Sequence, residues 1–256
     1  MARSLPTNSQ SSKKSPFLRA VNTVGEVSAD KFPFTIPALK HGLSITFTRP
    51  ITFLVGENGS GKSTILEAIA AKCGFNLLGG NRNHSYSAGT QDAALAPFLR
   101  LSWTEKVGDG FFMRAESFFN FATYLDALEA EDPGVLGAYG GKSFHAQSHG
   151  EAFFSLFLNR FRKGVYVLDE PEGALSPQRQ LAFLRLMFDL EKAGQAQFII
   201  ASHSPLLFSY PFANVLSVDG EGVHQVDYRR TDHYQLTREF LDAPERFFHH
   251  LFTEEA

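Results

Sequence analysis

The stretch GENGSGKS, Gly56 to Ser63, contains the residue types that a phosphate-binding loop requires. Glycines let backbone N–H groups wrap around a phosphate chain without side-chain clashes. A helix that begins at the end of such a loop points its positive end at the bound anion. In the pattern G-x-x-x-x-G-K-[ST], the lysine reaches the β- and γ-phosphates and the next hydroxyl ligates Mg²⁺. Lys62 and Ser63 occupy these two positions.

The surroundings of the loop fit the same chemistry. An apolar run, ITFLV, precedes the loop, and KSTILEAIAAKC follows it with helical spacing. A chance match in a glycine-rich turn is the alternative, but it would not require a buried strand before the loop and a helix after it. We therefore predict nucleotide contacts from Gly56, Glu57, Asn58, Gly59, Ser60, Gly61, Lys62, Ser63 and Thr64.

A second element, VYVLDEPEGALSP, has four apolar residues that end in two carboxylates, Asp169 and Glu170. A carboxylate at the tip of a buried strand beside a phosphate loop is a partner for Mg²⁺. A second carboxylate next to it can act as the base that polarises an attacking water. An ordinary acidic strand end is the alternative, and the phosphate loop disfavours it.

A third element, FIIASHSP, places His203 at the end of another buried strand. An isolated histidine is usually structural or merely exposed. At the mouth of a phosphate site, however, its ring can donate a hydrogen bond to the γ-phosphate. We therefore add His203 to Lys62 and Glu170 as a candidate catalytic residue.

The order of these elements resembles the ATP-binding-cassette (ABC) class of P-loop ATPases. LDEP, GALSP and ASHSP are most similar to its soluble branch, which contains SMC-type heads, RecF-like repair ATPases and small standalone ATPases of the AAA family. The resemblance covers roughly residues 30 to 220. It implies ATP and Mg²⁺ as ligands, the phosphate loop as Walker A, the acidic strand as Walker B, and an ATP-dependent homodimer.

The stretch FHAQSHGEAFF precedes the acidic strand by about 20 residues, where the family carries its signature motif. The resemblance implies that Ser148 and Gly150 contact the γ-phosphate of ATP bound to a second subunit. A serine hydroxyl and N–H groups at a helix N-terminus suit an anion. His149 stands where the family has its first signature glycine, and Gln147 stands where it has leucine. A simple helix cap is the alternative role for Ser148.

Two further family features have candidates here. A glutamine that senses Mg²⁺ and water usually follows the first helix, and Gln91 is the candidate metal residue. An aromatic residue that stacks on adenine is expected upstream, near Phe32 or Phe34. Residues 82–86 could also face the nucleotide, although a solvent-exposed loop is the alternative.

Strand, helix and strand alternate along the chain, which predicts an α/β fold with a mostly parallel sheet flanked by helices. The resemblance implies the fold of a P-loop NTPase, similar to an ABC-ATPase head. Apolar residues at helical intervals predict a helix from Met113 to about Ala130 and an inserted helical lobe over roughly 111–162. Residues 1–20 are predicted to form a flexible tail and 21–256 a single ABC-type ATPase domain. A transit peptide is an alternative for the tail.

Composition limits the function classes. The chain has 256 residues, of which 43% are hydrophobic, so it can bury a large core. The net charge of −3 favours weak binding to duplex DNA and leaves a nucleic-acid partner undetermined. The single cysteine, Cys73, fits a reducing compartment. No apolar run is long enough to predict a transmembrane segment, and we expect a cytoplasmic protein.

Several functions remain possible from the sequence. We predict an ATP-hydrolysing enzyme that closes as a dimer on two nucleotides, with a possible unidentified effector protein. The alternatives are an ATPase subunit that drives a membrane transporter and a nucleotide-gated module partnered with a nuclease in repair or defence. A GTPase should carry an Asn-Lys-x-Asp guanine-binding motif, which is absent from the sequence. A small-molecule kinase would need neither the Ser-His-Gly-Glu helix nor His203.

Overall fold

The computed structural model describes residues 14–77, 93–146 and 149–252. Its strands are β1 (Leu18–Thr23), β2 (Ser44–Thr46), β3 (Ile51–Val55), β4 (Leu99–Trp103), β5 (Gly110–Arg114), β6 (Gly164–Asp169), β7 (Ala196–Ala201), β8 (Asn214–Asp219) and β9 (Gly222–Gln225). Its α-helices are α1 (Lys62–Cys73), α2 (Phe118–Glu131), α3 (His149–Arg160), α4 (Pro177–Lys192), α5 (Pro205–Phe208), α6 (Asp232–Asp242) and α7 (Pro244–Phe252).

The main sheet has six strands in the order β5-β6-β7-β3-β8-β9. The first five are parallel, and β9 pairs antiparallel with β8. Every residue of β3, β6 and β7 is buried, as expected for parallel strands covered on both faces. The predicted α/β fold with a mostly parallel sheet is confirmed. Because the central strands run the same way, the residues at their carboxyl ends lie along one edge.

Two apolar cores cover the faces of this sheet. Alternate residues of a strand point to opposite faces, so Phe53 joins one core and Leu54 joins the other. The first core contains residues from α2, α3, α4 and α5. The second contains α1 and the smaller antiparallel sheet, whose order is β2-β1-β4. The side chain of Gln197 ties the two sheets together by bonding the backbone N–H and C=O of Leu18, each at 2.8 Å.

Two predicted boundaries were wrong. Leu18 begins β1, and both Phe17 and Leu18 are fully buried, so the ordered domain starts before residue 20. Gly110–Arg114 forms β5 and pairs in parallel with β6, so these residues belong to the main sheet and the helical segment starts after them. A short apolar run such as FFM suits a buried helix and a buried strand equally well.

The phenylalanine-rich segment between β5 and β6 packs as a core. Phe153, Phe157 and Phe161 lie one helical turn apart, and the ring centroids of successive members are 4.7 Å apart. Phe161 also contacts Phe198 of β7 at 5.2 Å. These rings attach α3 to the first face of the main sheet. Among the helices of the described residues, none has the length and apolar character needed to cross a lipid bilayer.

Candidate nucleotide-binding site

The glycine-rich loop connects β3 to α1 at the carboxyl edge of the main sheet. Gly56 has φ 153° and Gly61, immediately before the helix, has φ 108°. Residues that carry a side chain rarely adopt these backbone conformations. A Cβ on Gly56 would lie 2.3 Å from the backbone oxygen of Val218 in the neighbouring strand β8. Position 56 therefore requires glycine, since the loop turns tightly against β8.

This contact predicts a difference in stability between two variants of the same loop. Gly56→Ala should lower the free energy of unfolding by roughly 2–4 kcal/mol, since backbone strain adds to a clash with a rigid carbonyl. Gly59→Ala is the matched control, because Gly59 also has positive φ, 78°, but its added Cβ meets nothing within 4 Å. Urea denaturation of both variants measures the difference. Equal stability of the two variants would contradict the close approach of Gly56 to Val218.

Lys62 begins α1 directly after the loop and is 4% exposed. Its Nζ donates to the carbonyl oxygens of Gly56 and Glu57, each at 2.8 Å. Burial lowers the pKa of the Lys62 ammonium, and the nearby carboxylates of Glu170 and Asp169 oppose that shift. A buried ammonium that donates to two carbonyls is placed to exchange them for phosphate oxygens, which pair with it more strongly.

Ser63 and Asp169 meet across the site. The Ser63 hydroxyl donates to Asp169 Oδ1 at 3.3 Å, and Asp169 is 2% exposed. A hydroxyl and a carboxylate are the hard oxygen ligands that Mg²⁺ prefers, and Mg²⁺ takes its other ligands from phosphates and water. No cluster of three or more histidine, cysteine, aspartate or glutamate side chains that could hold a metal occurs in residues 14–77, 93–146 or 149–252. The residues present therefore fit Mg²⁺ delivered with a phosphate.

Arg114 holds the other oxygen of Asp169. Its Nε donates to Asp169 Oδ2 at 2.8 Å, and its NH2 group pairs with Glu67 on α1. Arg114 ends β5 and stands opposite Asp169 in the strand register, which explains why the two side chains meet. Sequence reasoning missed this residue because it placed the segment from Met113 onward on a helix. The ion pairs fix the orientation of Asp169 and leave Oδ1 facing Ser63.

Glu170 follows β6 with the strained backbone angles φ 51° and ψ 52°. Within the described residues it is the one non-glycine position with positive φ. Such strain persists where the surrounding structure imposes it, and it occurs often at functional sites. Its N–H bonds the Ala201 carbonyl at 3.0 Å, and its side chain is 48% exposed. The carboxylate is thus anchored through its backbone while remaining accessible to water.

His203 is held beside this carboxylate by two contacts that sequence reasoning did not predict. The backbone N–H of His203 donates to Glu172 Oε1 at 2.6 Å. Burial raises the pKa of Glu172, and the bond from His203 opposes that shift. The ring Nδ1 of His203 lies 2.7 Å from Nε2 of His233 in the first turn of α6. The other ring nitrogen of His203, Nε2, lies 3.2 Å from Glu170 Oε1.

Two clefts border the loop. One, of about 580 Å³, is lined by Ser63, Glu67, Arg114 and the acidic strand end. The other, of about 520 Å³, is lined by loop residues 56–60, by the β8–β9 hairpin and by residues 230–233. Lys62, Ser63, Asp169, Glu170 and His203 lie at the carboxyl edge of the main sheet. Glu57, Asn58 and Gly59 form the exposed apex of the loop, and Thr64 is half-buried on α1.

Other predicted residues are not placed at this site. Ser148 and Gln91 lie outside the described residues, as do residues 82–86. Gly150 lies in the first turn of α3, and neither cleft is lined by a residue of that helix. Phe34 is 2% exposed and packs edge-on against Phe98 at 5.0 Å, so it is a core residue and cannot stack on adenine. Phe32 is 63% exposed.

Two family models match the segments of the chain that carry these residues. A family model described as "AAA domain" matches residues 33–107, which contain the loop. A second, described as "AAA domain, putative AbiEii toxin, Type IV TA system", matches residues 149–209, which contain the acidic strand end and His203. The chain is also 28% identical over 162 residues to the cytochrome c biogenesis ATP-binding export protein CcmA of Rhodopseudomonas palustris (strain BisB5). That alignment covers 60% of this chain and 78% of CcmA.

Similar solved structures include an SMC head domain from Thermotoga maritima, with 17% identity and a TM-score of 0.43, covering 82% of this chain and 98% of that one. Another is cbiO1 from Clostridium perfringens, part of the ABC transporter complex cbiONQ, with 18% identity and a TM-score of 0.48. It covers 90% of this chain and 97% of that one. In its family matches and in the geometry of its loop, the chain is similar to AAA/ABC-type P-loop ATPase domains.

Proposed function

We propose that the chain is a Mg²⁺-dependent ATPase, two copies of which close around two ATP molecules. One observation carries the proposal. Lys62, the Ser63–Asp169 pair, Glu170 and His203 converge at the carboxyl ends of the adjacent strands β3, β6 and β7. Each of these groups has a role in phosphoryl transfer, and ligands bind at this edge of open parallel sheets.

Each residue has a different role in the proposed reaction. Lys62 exchanges its contacts with two loop carbonyls for the β- and γ-phosphates. Ser63 Oγ and Asp169 Oδ1 would hold Mg²⁺, which would neutralise charge on the phosphate oxygens. The accessible carboxylate of Glu170 accepts a proton from the attacking water. The ring of His203 donates a hydrogen bond to the γ-phosphate from its Nε2 nitrogen.

The proposed dimer uses the N-terminus of α3. Glu151, in its first turn, pairs with Arg179 of α4 at 3.3 Å. Residues 151–160 of α3 line neither cleft beside the loop. In the proposed dimer, Ser148 and Gly150 would contact the γ-phosphate of ATP bound to a second subunit. A two-fold arrangement satisfies both sites at once.

Loss of the loop lysine tests nucleotide binding. Lys62→Ala should weaken Mg-ATP binding by a factor on the order of 10² or more, since it removes a charge-assisted contact to two phosphates. The matched control is Lys72→Ala, which removes an exposed lysine from the last turn of the same helix. Equilibrium binding of labelled ATP provides the measurement. Equal affinities of the two variants would show that residues 56–63 do not form the nucleotide site.

The similarity to CcmA favours a second candidate, an ATPase subunit of an export complex. Under this alternative the chain acts on a membrane partner, whereas a repair or defence role would pair it with a nuclease. A tagged Glu170→Gln variant, trapped with ATP in its native host, distinguishes the two by whether an integral membrane protein or a nuclease copurifies in proportion to the bait. Lys62→Ala serves as the control that does not bind ATP.

A further inference from the structure

We propose that His233 is a positioning residue that selects which ring nitrogen of His203 carries the proton. This inference rests on the proposed ATPase function, because in that function the proton on His203 forms the hydrogen bond to the γ-phosphate. His233 lies on α6, beyond both segments matched by the AAA family models.

Local structure fixes the position of His233. Thr231 caps α6, since its side chain accepts from the backbone N–H of Tyr234, and its hydroxyl donates to the Tyr228 carbonyl at 2.6 Å. This cap leaves His233 in the first helical turn, where its ring centroid lies 4.7 Å from that of His203. The separation of 2.7 Å between His203 Nδ1 and His233 Nε2 is that of a hydrogen bond. One of these nitrogens therefore donates and the other accepts.

The surroundings of the other His203 nitrogen decide the direction. Nε2 is 3.2 Å from the Glu170 carboxylate. Were His203 protonated on Nδ1, the Nε2 lone pair would face that carboxylate and the two would repel. Protonation on Nε2 removes the repulsion and leaves Nδ1 as the acceptor. His233 Nε2–H is then the donor, and it stabilises that tautomer of His203.

The same nitrogen lacks a well-aligned acceptor. Nε2 is buried and makes no hydrogen bond of good geometry within residues 14–77, 93–146 and 149–252, although Glu170 is close. Burial and the charge of Lys62 lower the pKa of His203, and Glu170 opposes the shift. A neutral ring carries one N–H, so the choice of tautomer decides whether His203 can donate into the site. The nitrogen that His233 leaves protonated is therefore Nε2, the one beside Glu170.

Side-chain NMR tests the assignment without reference to turnover. Histidine-selective ¹⁵N labelling of the full chain, with His203 assigned from a His203→Gln spectrum, reports its tautomer from long-range ¹H–¹⁵N couplings. Wild-type His203 should be the Nε2–H tautomer. His233→Phe, which removes the donor, should raise the Nδ1–H population several-fold. His233→Gln, whose amide nitrogen reaches about as far as Nε2 of histidine, should restore the wild-type pattern. His41→Phe, at an exposed site, is the control.

Turnover gives a second, separable readout. His233→Phe should lower kcat by about 10-fold or more with little change in KM for Mg-ATP, because the defect lies in orienting a catalytic group. His233→Gln should recover most of that loss. A wild-type Nδ1–H tautomer, or an unchanged tautomer in a folded His233→Phe protein, would overturn the inference. A correct tautomer pattern in a chain that hydrolyses no ATP would instead overturn the proposed ATPase function.

Discussion

Glu170→Gln is expected to lower ATP turnover by a factor on the order of 10² or more while Mg-ATP still binds with nearly wild-type affinity. Glutamine keeps the shape of the side chain but cannot accept the proton of the attacking water. The backbone position is unaffected, since Glu170 is anchored through its N–H to the Ala201 carbonyl. Asp169 and Ser63, which are expected to hold Mg²⁺, are also unchanged. The loss should therefore appear in kcat and be absent from binding.

Steady-state hydrolysis and equilibrium binding of labelled ATP separate these two effects. Glu239→Gln, which neutralises an exposed carboxylate on α6, controls for the change in net charge. Turnover by Glu170→Gln at the wild-type rate would show that another group acts as the base. His203 would then be the first alternative, because its ring lies 3.2 Å from the same carboxylate.

The same variant tests dimer closure. If hydrolysis opens the dimer, Glu170→Gln with Mg-ATP should accumulate as a closed dimer, because the product state is never reached. Sedimentation of the wild-type and variant proteins with Mg-ATP, over a range of concentrations, shows the difference. If the variant stays monomeric at every concentration, Ser148 does not complete an ATP site in a homodimer. It is then a helix cap or contacts a different chain.

Much of the site was predictable because parallel strands bring their carboxyl ends to one edge. The run ITFLV before the loop, VYVLD before Glu170 and FIIA before His203 each read as buried strands. Once these strands are parallel neighbours, Lys62, Glu170 and His203 must lie near one another. Their convergence followed from strand direction and did not require knowledge of side-chain contacts.

Arg114 and His233 could not be predicted in the same way. Arg114 meets Asp169 only because β5 pairs with β6, and the run FFM is too short to distinguish a strand from a helix. His233 reaches His203 because a capped helix after the β8–β9 hairpin returns to the loop. Neither residue stands in a motif, and each contact depends on long-range packing that local sequence patterns do not specify.

Mixing two inactive variants should restore activity if each ATP site is shared between subunits. Lys62→Ala disables the loop half of a site, and Ser148→Arg disables the signature half by placing a bulky charge there. In a mixed dimer, one site carries both defects and the other carries neither. Random exchange makes about half of the dimers mixed, so roughly a quarter of wild-type activity should return when the sites work independently. Hydrolysis by the equimolar mixture, compared with each variant by itself, gives the measurement.

A second mixture controls for nonspecific recovery. Lys62 and Glu170 lie in the same half-site, since both border the loop of one chain. In a mixed dimer of Lys62→Ala and Glu170→Gln, each site therefore keeps one defect, and activity should stay at background. The shared-site arrangement thus predicts rescue in the first mixture and none in the second. If native mass spectrometry shows mixed dimers in both but neither regains activity, independent sites completed by Ser148 of the opposite subunit are contradicted.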